Sequence, residues 1–282
     1  MRTLNMATLL EKAESFQLLH QRSGCFVMPN PWDAGSAKLL TSLGFEALAT
    51  TSAGLAFSLG ICDGKNLISS EQALLNAKKI VQVTNLPVSA DLENGYHDDP
   101  DGVFQTIKNA GKIGLVGGSI EDATGDSANP IYNFNLAVER IKAASEAVKN
   151  MALPFVLTAR AENFLYGRPD LKDTIQRLQA FQDAGADVLY APGLNNLNDI
   201  AAIVSELDKP VNVLMGSPGV RITVQELTDV GVKRISLGSS FNRAALGALL
   251  KAADEVLNKG SFTFAEDAAT YGNLNEKFSQ EK

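Results

Sequence analysis

The sequence predicts an α/β protein folded as one (β/α)₈ TIM barrel, and three observations support this prediction. Short apolar runs bounded by turn residues recur eight times along the 282-residue chain. Stretches with helical periodicity separate these runs, and several end in a Gly-containing break such as NAGKIGLVGG or DAGADVLY. Alternating short strands and helices imply parallel strands, and eight such units match a closed barrel.

The elements follow in a regular order after an amphipathic helix over Met6–His20. The eight predicted strands lie in GCFVMPN, EALATTSAG, LPVSADLENG, GLVGGSIED, LPFVLTARAE, ADVLYAPG, KPVNVLMG and KRISLGSS. The predicted helices cover Ala34–Ser42, Ser70–Thr84, Pro100–Ala110, Leu136–Asn150, Leu171–Ala184, Leu197–Leu207, Val224–Asp229 and Asn242–Leu257. A Gly just after a helix supplies the left-handed residue that ends it.

We expect a single domain over residues 1–282, with the barrel at about 24–250 and a helical extension at about 251–282. The apolar helix FNRAALGALLKAADEVL is longer than a barrel needs. The polar tail YGNLNEKFSQEK is expected either to be loosely ordered or to pack on a partner.

Composition indicates an ordinary protein of the cytoplasm. The chain is 45% hydrophobic and 20% charged. Its net charge of -7, without a Lys or Arg cluster, argues against binding to nucleic acid or to an anionic membrane. Only two cysteines occur, and the start of the chain carries charges where a signal peptide is apolar. No run reaches the roughly 18 to 20 apolar residues of a membrane helix.

Polar residues cluster where the predicted strands end, which is the edge that carries the active site in barrel enzymes. Asp91 and Glu93 are separated by one residue of the third strand, so they are expected on the same face. Two carboxylates in an apolar interior need compensation. The candidate residues at or just after the strand ends are Asn30, Trp32, Ser52, Ala53, Gly54, Asp91, Glu93, Glu121, Asp122, Arg160, Glu162, Asn212, Ser239 and Arg243.

A divalent cation is the simplest compensation for these carboxylates. Mg²⁺ fits best, because it binds through a few carboxylates and keeps waters and substrate oxygens at its other positions. Alternatively, Asp91 and Glu93 pair with Arg160 and cap neighbouring loops. Metal binding is favoured because Glu121 joins them from the next strand.

Cues for other chemistries are missing from the sequence. With only His20 and His97, a His-rich zinc site is implausible. The chain contains neither a P-loop motif nor a GxSxG elbow. The glycines of GLVGGS precede a strand instead of joining a strand to a helix, so they are poor evidence for dinucleotide binding.

The motifs TTSAGLA, ADLENGY, GGSIEDATG, LTARAE and PVNVLMG, in this order, resemble the isocitrate lyase and phosphoenolpyruvate mutase superfamily. The resemblance covers roughly Gly24–Leu250. It implies a Mg²⁺-dependent barrel, with Mn²⁺ as a substitute ion, that makes or breaks C–C or P–C bonds next to a 2-oxo acid through a pyruvate enolate or a related species. It also implies a homo-oligomer, a dimer or tetramer, with a last helix exchanged between subunits.

The resemblance also assigns site residues. Ser52, Ala53 and Gly54 are expected to hold the substrate carboxylate and oxo group, Trp32 to wall the site, and Arg160 and Asn212 to bind substrate. Arg160, Glu121 and Asp126 are the candidate catalytic residues. The candidate metal ligands are Asp63, Asp91, Glu93 and Glu121.

Three features depart from this family. The loop over Ala123–Asn135, which with the preceding Glu121 and Asp122 reads EDATGDSANPIYNFN, lacks the Cys and basic residues of isocitrate and methylisocitrate lyases. The sixth strand ends in YAPG without the His of phosphonate-processing members. His97 replaces a glycine of the family motif and is expected to be a solvated loop residue or, alternatively, a proton donor.

The sequence therefore predicts a Mg²⁺-dependent C–C lyase or decarboxylase of a small 2-oxo or 2-hydroxy dicarboxylate. The alternatives are a phosphoenolpyruvate or phosphonopyruvate mutase or hydrolase, and a non-catalytic barrel that binds a carboxylate. We expect the loop over Ala123–Asn135 to be a mobile gate that brings Asp126 or Asn129 near the reacting carbon. Cys25 and Cys62 are expected to be buried and uninvolved in the chemistry.

Overall fold

The computed structural model describes residues 7–279, in which eight parallel strands form one sheet around a central axis. The strand order is β1-β8-β7-β6-β5-β4-β3-β2. At the two ends of this order, the N–H of Ala49 donates to the carbonyl of Pro29 at 3.1 Å and brings β2 against the end of β1. The predicted (β/α)₈ barrel is confirmed.

The strands are short and lie within the eight predicted runs. They are β1 (Phe26–Met28), β2 (Leu48–Ala49), β3 (Val88–Asp91), β4 (Gly117–Glu121), β5 (Val156–Arg160), β6 (Val188–Tyr190), β7 (Val211–Leu214) and β8 (Arg234–Ser236).

The helices match the predicted ones to within a few residues, with two additions. They are α1 (Leu9–Gln21), α2 (Ala34–Ser42), α3 (Ser52–Ser58), α4 (Ser70–Gln82), α5 (Pro100–Lys112), α6 (Phe134–Lys149), α7 (Leu171–Asp183), α8 (Leu197–Ser205), α9 (Val224–Asp229), α10 (Ser240–Lys259) and α11 (Tyr271–Ser279). The additions are α3 and α11, of which α11 lies within the helical extension expected over about 251–282. The predicted start of the first helix at Met6 lies outside the described residues.

Strand alternation separates two cores. Leu157, Leu189 and Ile235 point outward and pack with the surrounding helices. Val156 and Val188 point into the barrel, where the apolar face of α1 meets them. Phe16 of α1, which is fully buried, belongs to this inner core and closes the amino-terminal end of the barrel. The opposite end is therefore the one open to a ligand.

The carboxyl-terminal extension is more ordered than the tail was expected to be. Its last described helix, α11, packs on α2 of the same chain, and Lys38 Nζ donates to the carbonyl of Phe278 at 3.1 Å. Residues 280–282 of the tail lie outside the described range. In contrast, α10 buries Asn242 alone among its described residues.

Candidate active site

One row of paired residues crosses five strands of the barrel. Glu121 of β4 pairs with Arg160 of β5, Arg160 with Tyr190 of β6, Tyr190 with Asn212 of β7, and Asn212 with Arg234 of β8. Because the strands of a barrel are staggered, this row starts at the carboxyl end of β4 and finishes at the first residue of β8. It therefore descends from the mouth of the barrel into its interior.

A cavity of about 210 Å³ opens at the carboxyl ends of the strands. Liquid water occupies about 30 Å³ per molecule, so this volume suits a small substrate. Six of the predicted site residues line it: Ser52, Ala53, Asp63, Asp91, Arg160 and Asn212. Polar side chains that the sequence reasoning did not assign to the site also line it, among them Ser119, Tyr190 and Arg234.

Arg160 lies at the centre of the charged residues. Its guanidinium donates to Asp91 Oδ1 at 2.8 Å, Glu121 Oε2 at 3.0 Å and Glu162 Oε1 at 2.8 Å. It also lies 5.2 Å from the centroid of the Tyr190 ring. Burial alone would lower the pKa of Arg160, but the three carboxylates raise it well above its ordinary value, so the group is a permanent cation.

The predicted substrate donors on α3 already have partners within the protein. The N–H and hydroxyl of Ser52 donate to Asp91 Oδ2 at 3.2 and 2.8 Å, and the N–H of Gly54 donates to Thr51 Oγ1 at 3.2 Å. A Cβ at Gly54 would lie 2.6 Å from Thr51 Cγ2 and 3.0 Å from the Cβ of Trp32. Trp32 therefore supports α3 from behind Gly54, and it is not among the side chains that line the cavity.

The expectation that Asp91 and Glu93 share one strand face is wrong, because β3 ends at Asp91. Glu93 has a left-handed φ of 48°, which turns the chain out of the sheet. Its side chain lines a smaller void beside Asp91 and Tyr96. Burial, followed by the charges of Asp91 and Asp63, raises the pKa of Glu93 to about 7. Burial and the Asp91 charge also raise the pKa of Asp63.

The acidic residues fit a divalent cation by charge and donor type. Asp91, Glu121 and Glu162 share the guanidinium of Arg160, whereas Asp63 and Glu93 form no ion pair with it. Burial, and after it the Asp91 charge, raises the pKa values of Asp63 and Glu93. Their oxygen donors are those that Mg²⁺ prefers. Across residues 7–279, no three acidic, His or Cys side chains already converge as metal ligands. Arg160 holds oxygens of Asp91 and Glu121, as the alternative sequence reading expected for Asp91.

Asp126 does not approach the cavity in this structure. Its carboxylate accepts from the N–H of Ala128 at 2.9 Å and from Asn129 Nδ2 at 3.3 Å, within an exposed turn. The base of this loop is closed by an antiparallel bridge between Ala123 and Ile131. A role for Asp126 or Asn129 at the reacting carbon would require the turn to move.

His97 and Cys62 are both exposed. His97 is thus the solvated loop residue that was expected first, and its carbonyl accepts from Arg140 Nη1. The expected burial of both cysteines is wrong. Cys62 is exposed because it lies in the loop that follows α3, next to Asp63, and Cys25 is half-buried with its Sγ 2.9 Å from Thr228 Oγ1.

The curated relatives include uncharacterised and enzymatic proteins. An uncharacterised protein of Mycobacterium tuberculosis is 33% identical over 243 residues, covering 86% of this chain and 88% of the relative. The oxaloacetate decarboxylase of Pseudomonas aeruginosa is 27% identical, covering 98% of this chain and 94% of the relative.

Solved structures share the whole fold. A Burkholderia cenocepacia crystal structure described as a lyase/mutase is 51% identical, with a TM-score of 0.94, and covers 96% of this chain and 97% of its own. Oxaloacetate acetylhydrolase in complex with the product oxalate is 26% identical, with a TM-score of 0.85 and coverage of 94% and 93%.

The phosphoenolpyruvate phosphomutase family model matches residues 16–257, which include all eight strands. The match therefore extends over the barrel and every residue that lines the cavity. The chain belongs to this family and, with it, to the isocitrate lyase and phosphoenolpyruvate mutase superfamily of enzymes.

Proposed function

We propose that this protein is a Mg²⁺-dependent C–C lyase or decarboxylase that acts on a small 2-oxo or 2-hydroxy dicarboxylate. The observation that carries the proposal is the division of the cavity by charge. Asp63 and Asp91 line one part of it, Asn212 lines another, and the Arg160 cation lies between. Such a cavity suits a ligand that presents oxo or hydroxyl oxygens to a cation and a carboxylate to neutral donors and a guanidinium.

Each lining residue has a distinct task in this proposal. Arg160 orients an anionic group of the substrate, because its three carboxylate partners fix the guanidinium in place. Tyr190, whose pKa burial raises to about 12, stays protonated as a hydroxyl. Leu165 contributes an apolar side chain to the lining, where it would exclude water from a bound substrate.

Asp63, Asp91, Glu93 and Glu121 are the residues that would hold Mg²⁺, directly or through water. When bound, the ion would supply a Lewis acid that stabilises negative charge developing on the substrate oxygen. Carboxylates that bind the ion would no longer accept hydrogen bonds from Arg160. The N–H groups of Arg160 released in this way would be able to donate to the substrate.

A mutase or hydrolase that acts on the P–C bond of phosphonopyruvate is the second candidate. The match to the phosphoenolpyruvate phosphomutase family favours it. The end of β6 argues against it, because Ala191, Pro192 and Gly193 follow Tyr190 where phosphonate-processing members carry a His. A non-catalytic carboxylate-binding barrel is the third candidate.

The decisive experiment is a substrate screen with the purified full-length protein. Oxaloacetate, malate-like acids, methylisocitrate and phosphonopyruvate are supplied with Mg²⁺, or with Mn²⁺ in parallel, and reactions without protein are subtracted. Formation of pyruvate or glyoxylate is recorded, together with phosphoenolpyruvate for phosphonopyruvate. Addition of a chelator to each reaction tests the dependence on the cation. We expect pyruvate from at least one C–C substrate and loss of that product with the chelator.

The other outcomes separate the candidates. Turnover of phosphonopyruvate alone would replace the lyase proposal by P–C chemistry. Turnover that persists after chelation would contradict the proposed cation. The absence of turnover for every acid, in a protein that still binds one of them, would favour the non-catalytic barrel.

A further inference from the structure

Arg234 is a buried cation without an acidic partner in the described part of the chain. The residue is 3% exposed, and no carboxylate of residues 7–279 forms an ion pair with it. Buried charges are normally paired, because an isolated charge loses its hydration without compensation. Burial accordingly lowers the pKa of Arg234 to about 10, which still leaves it charged at neutral pH.

The contacts of Arg234 hold its position without neutralising it. Nε donates to Asn212 Oδ1 at 2.9 Å, Nη2 donates to Thr158 Oγ1 at 2.9 Å, and Nη1 lies 3.3 Å from His20 Nε2. Burial and the charge of Arg234 lower the pKa of His20 to about 3, so the imidazole is a neutral acceptor. These bonds use three of the five N–H donors of a guanidinium.

Arg234 reaches the cavity together with the residue it orients. Both Arg234 and Asn212 line the cavity, and Asn212 Nδ2 donates to Ser236 Oγ at 2.9 Å. Thus the amide of Asn212 is fixed at both ends. The row across the strands has the carboxylate of Glu121 at one end and the uncompensated guanidinium of Arg234 at the other.

We propose that Arg234 is a specificity-determining residue, whose charge makes the floor of the cavity select a substrate with a second carboxylate. The inference rests on the proposed function and adds the residue that binds the second carboxylate, with Asn212 and Ser236 as its neutral neighbours. An anionic group that settles on this floor supplies the missing counter-charge in a site of low dielectric. A monoanion of the same size leaves Arg234 uncompensated.

Binding measurements test this without requiring turnover. Isothermal titration calorimetry compares oxalate with oxamate, malonate with malonamate, and succinate with succinamate, each at saturating Mg²⁺. The two members of a pair have similar size and differ by one negative charge.

The variant Arg234→Gln removes the charge and keeps an amide donor for Asn212, while Arg234→Lys keeps the charge. Lys233→Gln is the matched control, because Lys233 is the adjacent cation and its Nζ donates to the carbonyl of Gly24 at 3.0 Å, at the opposite end of the barrel.

The wild type is expected to bind at least one dianion more tightly than its monoamide. Arg234→Gln should reduce this ratio of affinities by about tenfold or more, as expected for a lost hydrogen bond to a charged group. Arg234→Lys should retain most of the ratio, and Lys233→Gln all of it. A ratio unchanged in folded Arg234→Gln, or a wild type that does not prefer any dianion, overturns the proposal.

Two further results keep this inference distinct from the proposed function. Dianion preference that depends on Arg234 in a protein that turns over no acid would support the inference and contradict the lyase. Turnover of a dicarboxylate, with the ratio of dianion to monoamide affinity unchanged in Arg234→Gln, would support the lyase and contradict the inference. If Arg234→Gln does not fold, stabilisation of the wild type by dianion and monoamide, compared by thermal unfolding, still decides whether the preference exists.

Discussion

Asp91 links the Arg160 cation to the Ser52 donor, because one of its carboxylate oxygens accepts from Arg160 and the other from Ser52. Asp91→Asn keeps the size of the side chain and removes the negative charge. We expect Mg²⁺-dependent turnover to fall by at least about a hundredfold, the scale of a lost electrostatic contact at a reacting centre. Arg160 retains Glu121 and Glu162, so the fold should persist.

Turnover and Mg²⁺ affinity, by calorimetry, check this prediction for Asp91→Asn and Asp91→Ala. Circular dichroism of both variants serves as the control for folding. A variant that binds Mg²⁺ and turns over like the parent would show that Asp91 is no part of a metal site.

Cys62 is the accessible thiol nearest in sequence to the acidic residues. The cavity lining contains neither Cys25 nor Cys62, so we expect Cys62→Ser to keep full activity. Any inhibition by a thiol-alkylating reagent should come from bulk added beside Asp63 and should disappear in Cys62→Ser. Inactivation that persists in this variant, and from which substrate protects, would place Cys25 in the mechanism.

Individual site residues were predictable where strand alternation alone places a side chain. Asp91 and Arg160 are the last residues of β3 and β5, as expected. Asn212 was expected at the end of its strand, but it is the second residue of β7 and lines the cavity from deeper in the barrel. Glu93 was misplaced because a positive φ, rare outside glycine, ended the strand earlier than its residues suggest. Arg234 was missed because KRIS reads as charges that precede a strand, although Arg234 occupies the first inward position of β8 and shares its face with Ser236.

At the scale of elements, α1 closes the inner core through Phe16 and His20. The His20 ring lies 4.8 Å from the Phe16 ring and 5.1 Å from the Phe26 ring, centroid to centroid. Its pKa, about 3 in the folded state, is below its ordinary value of 6.5. Between these values the unfolded chain binds a proton that the folded chain does not. The free energy of unfolding is therefore fully retained above pH 6.5 and falls as the pH decreases towards 3.

We expect this contribution to be lost at about 1.4 kcal/mol per pH unit below 6.5. His20→Gln removes the titrating group, so the variant should be less stable than the parent at pH 7, and the difference should shrink by pH 5. Urea unfolding at pH 7, 6 and 5 measures it. A stability difference that stays constant with pH would contradict the low pKa of His20.

The loop over Ala123–Asn135 divides into a packed base and an exposed tip. Ile131 and Tyr132 are buried, whereas the tip is held by short-range bonds such as Thr124 Oγ1 to the carbonyl of Asn129 at 2.6 Å. The predicted gate should therefore involve residues 124–130 only. We expect their amide hydrogen exchange to slow when oxalate and Mg²⁺ are added. Equal exchange with and without ligand, despite measured binding, would argue against a gate.

Most helices were predicted to within a few residues, and two were not assigned as separate helices. Helix α2 has the predicted bounds because its N-cap Asp33 and its apolar spacing agree. Helix α3 is only seven residues long, and its N-cap Thr51 lies inside a run that reads as strand. Helix α11 lies in the extension that was expected to be helical, but its polar sequence was expected to be loosely ordered or to pack on a partner. It packs instead on α2 of the same chain, a tertiary contact that local sequence does not show.

At the scale of the whole molecule, the barrel was predictable because eight apolar runs at regular spacing admit few other topologies. The distribution of charged side chains inside the barrel was not predictable, because it depends on the strand stagger that places Glu121 and Arg234 in one row. No helix within residues 7–279 is both long enough and apolar enough to cross a membrane. The cytoplasmic location and the oligomeric state stay predictions.

The sequence predicts a homo-oligomer, a dimer or a tetramer, and the exposed apolar residues of α10 form a candidate interface for it. Leu249, Leu250 and Leu257 are 63%, 70% and 82% exposed on this 20-residue helix. Exposed leucines that share one face of a helix favour association with a second copy of the chain. We expect multi-angle light scattering at micromolar concentration to give a tetramer, and Leu250→Glu with Leu257→Glu to dissociate it.

Leu18→Glu is the control, because Leu18 is 61% exposed on α1, away from α10 in the sequence, and should leave the assembly intact. A wild-type monomer would contradict the assembly, and a tetramer that survives both α10 substitutions would place the interface elsewhere.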